Sequence, residues 1–151
     1  MAQALLREYA DWLKIDLSFQ NFESELVHLA EMYGPPGGRM LIAEVITGEG
    51  TVSAGCVGVR RFDDLTCEMK RLYVRPAYRG AGLGRRLALE IMAHGRALGY
   101  QRMRLDTLDQ MREAQRLYRS LGFYPIPPYG SHDVPGTQFL EADLAAERKA
   151  P

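Results

Sequence analysis

The sequence lacks any clustering of cysteine with histidine. Cys56 and Cys67 are its two cysteines, with no CxxC pair beside them. A zinc ribbon and a dense disulfide framework are therefore excluded, and both residues read as reduced, partly buried thiols. Both fall in strand-like segments, which leaves a pairing between them open. His28, His94 and His132 share no ligand spacing, so no metal is expected. An excess of either charge is also missing: Lys plus Arg is 19 and Asp plus Glu is 19. A general nucleic-acid or membrane-surface binder carries a basic excess, so neither partner is expected. No apolar run approaches the ~18 residues of a membrane span. The stretch MAQALLREYADWLK has acids among its apolar residues, unlike a signal peptide, and the expected location is cytoplasmic.

What is present fits one globular domain over residues 1–151, with 46% hydrophobic and 25% charged residues. Leu5, Leu6, Tyr9, Trp12 and Leu13 recur at helical spacing over 3–14. A second helix is expected from Ser18, with Phe22, Leu26, Leu29 and Ala30 on its apolar face. GPPGG ends it. RMLIAEVIT, TVSAGCVGVR and TCEMKRLYV then read as three strands joined by short turns, an antiparallel meander. Helical spacing resumes over 82–98, followed by a strand over 101–107 and a helix in MREAQRLYRSLG. FYPI and TQFLEADL read as two last strands, separated by the loop PPYGSHDVPG. Strand 65–74, helix 82–98 and strand 101–107 form one βαβ unit, whose strands run parallel through a right-handed crossover. The fold class is α/β (α+β), with a mixed, mostly antiparallel central sheet.

The informative segment is VRPAYRGAGLGRR. It joins a strand to a helix whose first amides have no intrahelical acceptors and favour an anion. Gly80, Gly82 and Gly84 allow a concave run of amides and close approach of a ligand. Arg79, Arg85 and Arg86 add positive charge. The site suits a phosphate or pyrophosphate, and a purely structural strand–helix turn is the alternative. A P-loop would need Lys followed by Ser or Thr, which occurs nowhere in the chain. A dinucleotide fingerprint would need glycine where Arg85 stands, and a meander precedes the turn in place of a Rossmann half.

Arg79-Gly80-Ala81-Gly82-Leu83-Gly84, its lead-in from Val74 and Pro76, and Ala114, Tyr118, Gly122 and Phe123 on the next helix resemble the GNAT superfamily of N-acetyltransferases. These motifs cover about residues 68–123. The resemblance implies helices on both faces of the sheet and a splayed parallel strand pair that holds coenzyme A. It implies acetyl-CoA as co-substrate, with its pyrophosphate on the turn formed by Arg79, Gly80, Ala81, Gly82, Leu83 and Gly84, and Arg85 nearby. Its pantetheine arm would pair along Leu72, Tyr73 and Val74. A small-molecule amine, or amino-acid-like, acceptor and direct transfer in a ternary complex are expected, and a homodimer is compatible. The alternatives are a protein lysine or N-terminal acetyltransferase, and an acyl-CoA sensor without catalysis.

The resemblance also implies catalytic roles. Tyr118 matches the tyrosine near the thioester sulfur, where a phenol of pKa about 10 can protonate a thiolate whose acid has a pKa near 8.5. Glu68, six residues before Val74, matches a strand glutamate that acts as general base. A salt bridge with Lys70 or Arg60 is its alternative, and Asp106 is a second candidate base. A backbone amide near Val74 would stabilise the oxyanion. Cys67 is a remote candidate nucleophile. Many members carry Asn where this chain has Met111, and Thr107, Asp106 or backbone groups are candidates to replace it. Phe19, Phe22, Glu25, Tyr33 and His132 are candidates for the acceptor side.

Overall fold

The computed structural model describes residues 4–8, 27–129 and 135–145. Of the expected N-terminal helices, residues 4–8 are helical, as is α1 (Leu29–Tyr33). Tyr9, Trp12, Leu13, Ser18, Phe19, Phe22, Glu25, Leu26 and His132 lie outside the described residues. The sheet-forming part follows the expected order. β1 (Arg39–Thr47), β2 (Gly50–Arg61) and β3 (Thr66–Val74) form the meander. A short 3-10 turn over Pro76–Tyr78 leads into α2 (Leu83–Ala97). β4 (Arg102–Leu108), α3 (Arg112–Ser120), β5 (Tyr124–Pro125) and β6 (Thr137–Asp143) complete the chain.

The strands form a six-stranded sheet in the order β1-β2-β3-β4-β6-β5. Every neighbouring pair is antiparallel except β3–β4. β6 inserts between β4 and β5, a placement that strand periodicity does not encode. One face packs on α2 and α3 through Val57, Val59, Cys67, Met69, Leu87, Ile91, Met103, Leu105 and Tyr118. On the other face Leu5 and Leu6 bury against Cys56 and Tyr73, with Leu29 beside them. The helices therefore cover both faces, giving the mixed α/β sandwich. Gly95 lets α2 lie close to the sheet: a Cβ there would stand 3.1 Å from Met103 and Leu144 and 3.3 Å from the Cys67 sulfur.

Two irregularities of β3 shape the molecule. The parallel ladder to β4 holds only Thr66↔Arg102, Cys67↔Met103 and Glu68↔Arg104. Beyond Glu68 the two strands separate and leave the inner edges of a V. In the same stretch β3 bulges. Cys56 pairs with Tyr73 and Gly58 with Lys70, so Val57 alone opposes Arg71 and Leu72. Arg71 adopts φ 62°, in the left-handed region that costs a non-glycine residue about 1–2 kcal/mol. The Cys56 thiol donates to its carbonyl at 3.4 Å. The extra residue reverses the alternation. Cys67 and Met69 face α2 below the bulge, and Leu72 and Val74 face it above.

Candidate active site

The V opens onto a cleft of about 530 Å³. One wall is Leu72, Tyr73 and Val74 from the limb of β3. The other is Gln110, Met111, Arg112, Glu113, Ala114, Leu117 and Tyr118, from the start of α3 and the turn before it. Tyr78, Arg79, Gly80, Gly82, Leu83 and Gly84 close one end. Gly80 and Gly82 have φ of 89° and 80°, and nothing lies within 4 Å of where their Cβ atoms would be. Glycine is needed there for backbone conformation, and the space beside it is open to a ligand. Gly82 caps α2 without a side-chain cap, so the first amides of the helix are left to an external acceptor. A positive helix end, an open glycine turn and an unpaired strand edge suit an anion attached to an extended polar arm.

Arg79 is fixed by its Nε–H donating to the Val74 carbonyl at 2.8 Å, with its guanidinium 5.7 Å from the centre of the Tyr73 ring. Arg85 instead ties α2 to α3, its Nη1 donating to Ser120 Oγ at 2.8 Å. Ala81 is exposed on the turn, and neither Ala81 nor Arg85 lines the cleft. Tyr118 lines it while 6% exposed, edge-on to Phe123 at 5.7 Å between centroids. Met111 lines it too, at the N-cap of α3, and makes no side-chain capping bond.

Glu68 lies on the opposite face of the sheet, 4% exposed and away from the cleft lining. Arg60 binds its Oε1 through Nε at 3.0 Å and Nη2 at 2.9 Å, and the Tyr129 hydroxyl donates to Oε2 at 3.0 Å. The ladders extend this pair into a row of alternating charge: Arg60↔Glu68, Glu68↔Arg104 and Arg104↔Glu141. Arg104 donates to Glu141 at 2.9 Å and sits over the rings of Phe62 and Tyr129. The next residues on this face, Lys70 and Asp106, meet across the opening strands at 3.7 Å. Of the expected partners, then, Arg60 holds Glu68, and Lys70 pairs with Asp106. Burial pushes the Lys70 ammonium below its ordinary pKa, against the pull of Glu68 and Asp106. Burial first, then Glu68 and Asp106, push the Tyr129 phenol far above its usual value, so it stays protonated.

Cys56 and Cys67 are free and buried. Burial pushes both thiols up to about 12, which removes the thiolate a covalent route would need. Tyr33 packs against Gly58, and a Cβ on that glycine would stand 2.7 Å from its ring, so Tyr33 is a core residue. Among the described residues no group of three or more His, Cys, Asp or Glu is placed to hold a metal. Sequence reasoning did not find Tyr78, Gln110, Arg112, Glu113 or Leu117 in the wall. Tyr78 stands inside the lead-in to the glycine turn and Leu117 on the helix face of Ala114 and Tyr118; the signal of the other three was proximity to the two motifs.

The model of the acetyltransferase (GNAT) family matches residues 2–123. The chain belongs to that family, and it is an acyltransferase of the N-acetyltransferase type. It is 42% identical over 142 residues to an uncharacterized N-acetyltransferase of Schizosaccharomyces pombe, covering 93% of this chain and 85% of that one. It is 32% identical over 127 residues to the thialysine N-epsilon-acetyltransferase of Bos taurus, covering 78% and 74%. The structure of yncA from Salmonella typhimurium, solved with its cofactor acetyl-CoA, is similar at a TM-score of 0.57 and 26% identity, covering 91% of this chain and 78% of that one.

Proposed function

We propose that this chain moves the acetyl group of acetyl-CoA directly to the amine of a small, amino-acid-like acceptor, working as one cytoplasmic domain. The observation that carries the reading is the V between β3 and β4 with the glycine turn at its mouth. The amides following Arg79, Gly80, Ala81, Gly82, Leu83 and Gly84 take the pyrophosphate, with Arg85 adding charge at the rim. The free edge of Leu72, Tyr73 and Val74 takes the extended arm. Acetyl-CoA supplies an activated thioester; holding an amine against it contributes about 7–11 kcal/mol through proximity. The thialysine-acetylating relative supports a small acceptor bearing an amine. The two free thiols suit a reducing compartment.

Tyr118 donates the proton that the departing thiolate needs. Glu68 is the terminal base on the other face. Its oxygens are engaged, so it acts through Tyr129: the phenol passes its proton to Glu68 as its oxygen takes one from the acceptor ammonium. Asp106 is the alternative terminus.

The test is an acceptor screen that detects released CoA thiol, run over small amines, free amino acids, lysine peptides and N-terminal peptides. Release with small amines is the expected result. Release with peptides alone would make this a protein acetyltransferase. Tight acetyl-CoA binding without release from any acceptor would make it a sensor.

A further inference from the structure

The cleft does not belong to one face of the sheet. Most of its apolar lining, Leu72, Val74, Leu83, Ala114, Leu117 and Tyr118, packs into the core beneath α2. Two lining residues do not. Tyr73, from the β3 wall, and Met111, from the α3 wall, pack with Leu5 and Leu6 on the opposite face. The opening between the strands therefore passes through the sheet, and this pair borders it on the far side. The bulge at Arg71 makes this so. It puts Tyr73 on the face of Glu68 and Lys70, where plain alternation would have put Leu72. The terminal base proposed above, Glu68 acting through Tyr129, is on that face too.

The two residues differ in freedom. Tyr73 is 4% exposed and held in the cluster of Leu5, Leu6 and Cys56. Met111 is half-buried and makes no side-chain capping bond. Its thioether is unbranched, with three rotatable bonds, and offers no hydrogen-bond donor. A methylene chain beside it gains by leaving water, whereas a hydroxyl there loses its bonds to water and gains none from Met111.

We propose that Met111 is a specificity-determining residue for the acceptor. Working against the fixed Tyr73 ring, it packs on the carbon chain that carries the attacking amine. It selects amines on an unbranched, apolar stem over those branched at the amine-bearing carbon or hydroxylated beside it. This narrows the acceptor class, and it rests on the reading of the cleft as an acetyl-CoA-dependent site for a small amine.

Three four-carbon amines test it: butylamine, sec-butylamine and 1-amino-2-butanol. Released CoA thiol reads kcat/KM, and calorimetry reads acetyl-CoA affinity. The amine preference is a ratio within one preparation, so a loss of folded protein does not move it. Wild type should prefer butylamine to each of the other two by about 10-fold. Met111→Ala makes room and should cut the preference over sec-butylamine by about fivefold or more. Met111→Asn supplies a donor and an acceptor and should do the same for the amino alcohol. Met111→Leu, apolar and of similar volume, should keep both preferences. Acetyl-CoA affinity should be nearly unchanged in all three variants. No preference in the wild type, or one that Met111→Ala and Met111→Asn leave intact, overturns the proposal. Weakened acetyl-CoA affinity with unchanged amine preferences also overturns it, and assigns Met111 to the donor arm. Acetyl-CoA binding without turnover of any of the three amines overturns it and leaves the donor site standing. A wild-type protein that binds no acetyl-CoA overturns the reading of the cleft itself.

Discussion

Tyr118 and Glu68 show how differently two candidate side chains can be placed by one sheet. Tyr118 reaches the cleft from α3, whereas Glu68 sits behind the sheet in a row of charges. Tyr118→Phe should lower kcat by about 10² or more with acetyl-CoA affinity nearly unchanged, since it removes proton donation and keeps the packing. Wild-type kcat in that variant would take Tyr118 out of the acid role. Tyr129→Phe should lower kcat and shift its pH profile while Glu68 stays salt-bridged; an unchanged profile would remove the relay. Glu141 carries a different prediction. Burial opposes its ionisation, but hydrogen bonds from Tyr124 and Arg104 overcome this and lower its pKa from 4.5. The unfolded chain therefore takes up this proton first, and stability falls as pH drops below about 4.5, until the folded carboxyl also protonates. Glu141→Gln should flatten the melting temperature in that acidic window; an unchanged slope would refute the linkage.

At the scale of elements, the glycine turn and the β3 bulge set the two ends of the cleft. Gly82 holds φ 80° at the N-cap of α2. Gly82→Ala forces a side chain into that conformation at about 1–2 kcal/mol, a drop of roughly 2–4 °C in melting temperature per kcal/mol for a chain of this size. CoA binding should weaken as well, because the same amides are the ones proposed to hold the pyrophosphate. Calorimetry and melting read the two effects separately. The turn was legible because alternate glycines between arginines at a helix start suit an anion. The bulge was not. Strict alternation from Cys67 and Met69 would put Arg71 and Tyr73 toward α2, yet Leu72 and Val74 take that side. No residue type marks the change, since Arg71 has an ordinary side chain in an unusual backbone conformation.

The whole molecule couples donor binding to stability, because the cleft joins β3, α2 and α3. Acetyl-CoA at 100 times its Kd should stabilise the native state by about 2.7 kcal/mol. That predicts a rise of roughly 5–10 °C in the melting temperature. No rise at saturating acetyl-CoA would contradict a donor site spanning these elements. Little of the charge row behind the sheet could be read from the sequence, and for a physical reason. Arg60, Glu68, Arg104 and Glu141 are adjacent only because four strands align in one register, and sequence spacing carries no record of it.

Local chemistry determined what the sequence could state alone. Short turns required a meander, a strand–helix–strand pattern required a parallel crossover, and the glycine turn suited an anion at a helix start. These follow from backbone sterics and dipoles within a few residues of one another. The tertiary structure decided the rest: where the parallel ladder stops, which way β3 turns at Arg71, and that Glu68 faces away from the cleft. Each depends on register and packing between distant segments, and only the assembled sheet sets those.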